Sequence, residues 1–401
     1  MLEIGIGLVV GSCWSLFKHL SFPSSFSLSN SFLAACKSLN LVQTYGDEFA
    51  LPSVNKTIAY PWGQRLLVGL PVGLSSAKVI DQHRALAEAM RVPAEDVEMR
   101  YANDGLIIDI FTRPMPETVP FESVNKGGGY NVPIGVNKRG EIRYYDFGGP
   151  YPHLLIGGIS GGGKSVLLRA ILSSLATGAN PYMYLCDLKG GVELGIFREL
   201  ECVRGFATSL TEVRSAAQAV ENEMQRRYAE MAEAGAQSWT GNKTLLVVDE
   251  LADFKARSGD PDAKLKGEIK AILTRLSAKG RAAGVLLVLA TQRPSADVVD
   301  GLIKTNIAAS VGFRTRDGTQ SRIILDHDGA ADLPDIPGRL IFQTSRDETL
   351  QAPYLSAADA RQLIAVLPKK SRIINEEAAP HADAKPDTSE ADPLDGNSIE
   401  L

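Results

Sequence analysis

From Ile134 onward, short apolar runs alternate with segments of helical period. The runs are HLLIGG, YMYLCDL, TLLVVDE, VLLVLATQ and SVGF. They do not alternate apolar with polar residues, so each reads as a strand buried on both faces. Strands of this kind separated by helices predict a mostly parallel sheet with helices on both sides. Upstream, RLLVGLP (Arg65 to Pro71), VEMRY (Val97 to Tyr101) and LIIDIF (Leu106 to Phe111) are shorter β-rich runs. Between the first two, Ser75 to Arg91 starts with a capping serine and spaces Val79, Ile80, Leu86 and Met90 as one helix face. Asn103-Asp104-Gly105 supplies the tight turn of a hairpin, which completes a β-α-β-β unit.

These patterns divide the chain into five parts. Residues 1–40 are an apolar N-terminal segment, 41–117 a small α+β module, and 118–132 a linker rich in glycine. Residues 133–370 are the main α/β domain, and 371–401 an acidic tail without hydrophobic periodicity, expected to be disordered. Ile4 to Phe17 carries no charge, yet its fourteen residues fall short of the ~20 that cross a bilayer. Membrane contact, an ordinary buried helix and a signal-like start all fit it.

Composition changes this picture in two places. The 401 residues carry a formal net charge of −5, but eight acids against one lysine lie beyond Asn375, so the rest is close to neutral and a polyanionic partner is not excluded. Four cysteines, Cys13, Cys36, Cys186 and Cys202, form no C-x-x-C pair, which argues against zinc and a disulfide framework and for a reducing cytosol.

The chemistry begins at Gly158-Ile159-Ser160-Gly161-Gly162-Gly163-Lys164-Ser165, followed by Val166. This run satisfies G-x-x-x-x-G-K-[ST] between a strand and a helix. Its glycines let backbone N–H groups wrap a polyphosphate, Lys164 can reach the outer phosphates of ATP, and Ser165 can ligate Mg2+. The run Thr244 to Val248 delivers Asp249 and Glu250 to the carboxyl end of a buried strand. Asp249 then holds the Mg2+ shell, and Glu250 orients and deprotonates the attacking water. Gln292, after VLLVLAT, is placed to sense the γ-phosphate or that water; read alone, it is a simple strand-to-loop cap.

HLLIGGISGGGKS, LCDLKGGVELGIF, LLVVDELADF, RLSAKGRAAGVLLVLATQRPS and GLIKTNIAASVGF together resemble the motor domain of the FtsK/SpoIIIE DNA translocases, from about Pro133 to Leu355. DLKGGVE and the upstream module resemble more closely the TcpA-like coupling ATPases of Gram-positive conjugation. The resemblance implies a RecA-like P-loop NTPase fold and a hexameric ring around double-stranded DNA, with ATP bound between subunits. It also implies transfer partners such as a relaxase, a place in the cytoplasm or at the inner face of the membrane, and an arginine acting in trans. Arg281, in KGRAAG, matches that arginine's position; Arg275 is the fallback, although a surface arginine in an intrachain salt bridge explains Arg275 better.

The chain departs from the segregation translocases in two ways: Asp187-Leu188-Lys189 stands where they have DPK, and nothing after Leu355 resembles their winged-helix DNA reader. Lys255, Arg257, Lys264, Lys266 and Lys270 follow the second motif as candidate phosphate contacts, diluted by Asp260, Asp262 and Glu268. Three functions fit these residues: a double-stranded DNA translocase, a protein-secretion motor of the type VII kind, and a nucleotide-switched assembly protein.

Overall fold

The computed structural model describes residues 27–370, apart from 103, 104, 127, 257 and 300. The apolar run from Ile4 to Phe17, the acidic tail and Arg257 lie outside these residues.

The small module is built on a four-stranded antiparallel sheet. Its strands are β1 (Ser53–Tyr60), β2 (Gly63–Gly69), β3 (Val97–Ala102) and β4 (Gly105–Phe111). β3 and β4 pair antiparallel with Ala102 opposite Gly105, and Asn103 and Asp104 of the hairpin turn read from the sequence lie outside the described residues. The sequence reading missed β1, whose residues are mostly exposed and therefore carry no apolar run. The helix read from Ser75 to Arg91 is broken at Gln82 into Ser76–Asp81 and His83–Met90.

The boundary at residue 40 is also corrected. Leu28–Ser38 forms α1, capped by Ser27, and it inserts Phe32, Ala35 and Cys36 into the module's core beside Leu86 and Leu106. The apolar segment read over residues 1–40 is, from Leu28 on, an ordinary amphipathic helix with an internal partner. Among the described residues no helix is long and apolar enough to cross a membrane.

The linker read at 118–132 is packed rather than free. Val119–Pro120 pairs in parallel with Pro353–Tyr354, and the short helix α2 (Phe121–Val124) buries Phe121 and Val124. Phe121 packs on Ala170, Leu355 and Ala360, so apolar burial, invisible in a glycine-rich window, fixes this stretch to the main domain.

The main domain carries a ten-stranded sheet. In chain order its strands are β5 (Asn131–Val136), β6 (Ile142–Asp146), β7 (His153–Gly157), β8 (Tyr182–Cys186), β9 (Val203–Ala207), β10 (Thr244–Val248), β11 (Val285–Thr291), β12 (Ala309–Phe313), β13 (Arg339–Gln343) and β14 (Asp347–Gln351). Their order across the sheet is β9-β8-β10-β11-β7-β12-β13-β14-β5-β6. From β9 to β12 all neighbours run parallel. Beyond β12 the pairings turn antiparallel, so the sheet is mixed.

Helices cover both faces. On one side α3 (Lys164–Thr177) buries Leu167, Leu168, Ile171 and Leu175. On the other, α4 (Leu210–Glu233) and α5 (Ala263–Lys279) bury Val213, Val220, Ile272 and Leu276. Helix α4 starts at a capping box, with Ser209 accepting from the Glu212 N–H and Glu212 reaching back to the Ser209 N–H. All seven residues of β11 are buried, as a strand covered on both faces requires.

Candidate nucleotide site

The parallel strands β10, β11 and β7 lie side by side and end at one edge of the sheet, where their loops converge. The loop after β7 is the glycine-rich run. Gly158 has φ +151°, and a Cβ there would stand 2.5 Å from the Cβ of Phe313, so a side chain is excluded. Gly163 caps α3 with φ +116°. The loop is braced from outside, with Ile159 N–H donating to the Arg314 carbonyl at 2.9 Å and Gly338 N–H to the Gly162 carbonyl at 2.8 Å. Ser160 and Gly161 are exposed at its crest, while Ile159, Ser165 and Val166 are half-buried. The first N–H groups of α3 have no intrahelical acceptor and converge on this crest, which makes it an anion cradle.

Lys164 opens α3 and is itself buried. Its ammonium donates to Asp249 twice, to Oδ1 at 2.5 Å and to the backbone carbonyl at 2.7 Å. Asp249 is fully buried, and its Oδ2 has no hydrogen-bond partner among the described residues. A buried carboxylate oxygen with a vacant lone pair is the ligand type Mg2+ takes, and Mg2+ needs only one or two protein oxygens beside those of a bound phosphate. Ser165, in the first turn of α3, and Asp249 therefore fit the metal read from the sequence.

Glu250 is held from β11. Its Oε1 accepts from the Thr291 hydroxyl at 2.8 Å and from the Ala252 N–H at 3.3 Å. The Gln292 N–H lies 3.1 Å from both carboxylate oxygens. Gln292 thus touches Glu250 through its backbone, leaving its half-buried side chain for other work. Thr291 escaped the sequence reading because a threonine closing an apolar strand carries no signal of its own. Lys189 escaped it as well. Its ammonium stands 3.6 Å from Asp249 Oδ2 and 3.9 Å from Glu250 Oε2.

Arg281 is exposed in the turn that leads into β11. Arg281 precedes β11 (Val285–Thr291), while the glycine-rich loop follows the carboxyl end of the parallel neighbour β7, so the length of a seven-residue strand, about 20 Å at ~3.3 Å per residue, lies between the two ends of the strands. It does not join the site of its own chain. Its turn is fixed by the buried Arg227, which donates to the carbonyls of Ala283 and Gly284. Arg275 pairs with Glu221 at 2.5 and 2.9 Å and holds that carboxyl below its ordinary range. Of the candidate DNA-contact lysines, Lys255 pairs with Asp297 and Lys266 with Asp260, and Lys270 donates to the Asp297 carbonyl; Lys264 is exposed.

The FtsK/SpoIIIE family model matches residues 125–254. DNA translocase FtsK of Streptococcus pneumoniae is 31% identical over 259 residues, which cover 58% of this chain and 32% of that protein. DNA translocase FtsK of Lactococcus lactis is 28% identical over 352 residues, 80% of this chain and 45% of that one. The chain thus spans less than half the length of these curated relatives. Among solved structures, the pCW3 conjugation coupling protein TcpA, a monomer with ATPγS, superposes with a TM-score of 0.59 at 22% identity, over 84% of this chain and 99% of that one. The cytoplasmic domain of the Thermomonospora curvata type VII secretion ATPase EccC gives 0.51 at 26% identity, over 64% and 32%. The glycine-rich loop, Lys189 and both acids after β10 lie inside the span that the FtsK/SpoIIIE family model matches, so the part of the chain that carries the site is similar to the ATPase domains of that family.

Proposed function

We propose that this chain is an Mg-ATP-dependent motor that moves double-stranded DNA through a ring of its own copies, a hexamer, in conjugative transfer or maintenance of a mobile element. The observation that carries the reading is the buried Lys164–Asp249 pair beside a clasped Glu250, facing a glycine cradle. Relatives called DNA translocases, and a conjugation coupling protein of the same fold, supply the polymer.

In this reading the N–H groups from Ser160 to Ser165 receive the phosphates, and Lys164 turns from Asp249 to the outer ones. Ser165 and Asp249 hold Mg2+, which when bound neutralises charge on the phosphate oxygens. Glu250 orients a water for in-line attack and takes its proton, while the Gln292 amide, donor and acceptor at once, reads the phosphate end. Arg281 serves the site of a neighbouring copy, since its own lies at the other end of the strands; a guanidinium suits a phosphoryl group better than an ammonium because its planar fork donates several bonds.

ATP turnover of the full chain, measured with and without linear duplex DNA, tests the proposal. Stimulation by DNA is expected. Turnover indifferent to DNA would favour a protein-handling motor, the reading that the 26% identity to EccC supports.

A further inference from the structure

The two acids after β10 are served by two cations, one buried and one that reaches in from the surface. The second is Lys189, and the chain places it deliberately. Asp187, fully buried at the end of β8, accepts from the N–H groups of Lys189 at 3.1 Å and of Glu193 and Leu194 at 2.9 Å. Gly190 and Gly191 both take positive φ, +74° and +77°, and turn the chain back over that carboxylate. The result projects Lys189, 36% exposed, toward Asp249 Oδ2, the oxygen that no hydrogen bond reaches among the described residues.

Lys164 cannot serve Asp249 and a phosphate equally well. When it leaves, Asp249 and the 7% exposed Glu250 become neighbouring buried carboxylates without their inner counter-ion, a costly arrangement. Among the described residues, Lys189 is the other cation within 4 Å of either acid.

We propose that Lys189 is a positioning residue of the nucleotide site: it takes over the charge of Asp249 when Lys164 turns to a nucleotide phosphate, and so sets how readily that exchange occurs. The inference rests on the nucleotide reading above. Because Mg2+ would offset the same carboxylate, Lys189 matters most when nucleotide binds without it.

The experiment measures the affinity of the full chain for a fluorescent ADP analogue, in excess Mg2+ and in EDTA, for the wild type, Lys189→Met and Lys189→Arg. Lys189→Met is expected to weaken binding about fivefold in EDTA, the scale of a partly exposed ion pair, and less than about twofold in Mg2+. Lys189→Arg is expected to bind like the wild type in both buffers, and both variants to melt with it. An equal loss in both buffers, or none in either, overturns the inference while leaving the nucleotide site intact. A wild-type chain that binds no nucleotide overturns the functional reading, and this inference with it.

Discussion

Thr291 donates its hydroxyl to Glu250 at 2.8 Å, joining the carboxyl ends of two neighbouring parallel strands through side chains rather than the sheet's own ladder. The bond fixes the direction of a carboxylate that, at the end of an apolar strand, would otherwise have only backbone N–H groups to orient it. Thr291→Val keeps the shape and removes the donor. ATP turnover should fall about ten- to a hundredfold with nucleotide affinity unchanged, since one hydrogen bond to a charged group is worth about 1.5–3 kcal/mol. Steady-state kinetics beside nucleotide titration check this.

Removing the amine at Lys164 has two separable effects. Lys164→Ala should abolish nucleotide binding, and it should also lower thermal stability, because Asp249 loses its buried partner and keeps only the partly exposed Lys189 beside it, so the cost falls below the about 3–5 kcal/mol of a wholly unpaired buried charge. Adding Asp249→Asn should restore most of the melting temperature and none of the binding. Calorimetric melting of the single and double variants distinguishes the two effects.

Glu250→Gln should bind nucleotide and stop turnover, because a neutral amide cannot take the proton of the attacking water. Arg281→Ala should keep binding and lose turnover for a different reason, the missing guanidinium in a neighbour's site. Mixing the two inactive variants should then restore part of the activity, since some interfaces would combine an intact Glu250 with an intact Arg281. Mixtures as silent as their components would show that Arg281 does not act across an interface.

His153 gives the fold a pH dependence independent of the nucleotide site. It is buried at the start of β7, and neither ring nitrogen has a well-formed hydrogen bond among the described residues. Burial pushes its pKa down to about 4; the nearby Ser277 backbone offsets part of that shift. The unfolded chain, with an ordinary histidine near 6.5, binds the proton first as pH falls. Stability from this group is therefore complete above pH ~6.5 and lost progressively toward pH ~4, by up to about 3 kcal/mol. Urea unfolding at pH 7.5 and 4.5 should show a smaller drop for His153→Leu than for the wild type.

Much of the site was legible because its parts are contiguous in sequence. A phosphate cradle needs glycines at fixed offsets before a helix, and an acid pair at the end of a buried strand must follow an apolar run, so Gly158 to Ser165 and Thr244 to Glu250 announce themselves. The parallel strands were legible for a similar reason, since burial on both faces leaves unbroken apolar stretches. Strand β1 and the helix α1 were not, the one because its face is wet and the other because it closes an apolar segment whose packing partners, Leu86 and Leu106, lie far along the chain.

By itself the sequence determined the class of chemistry, a P-loop with its acids on a parallel sheet, because short-range geometry dictates the residue types there. Only the tertiary structure decided which distant groups share that site. Thr291 lies 41 positions from Glu250, and Lys189 owes its place to a turn around Asp187. It likewise decided that Arg281 lies at the other end of the strands from its own chain's cradle. Pairings of this kind depend on strand order and on which ends of the strands lie together, and no local pattern of residues encodes either.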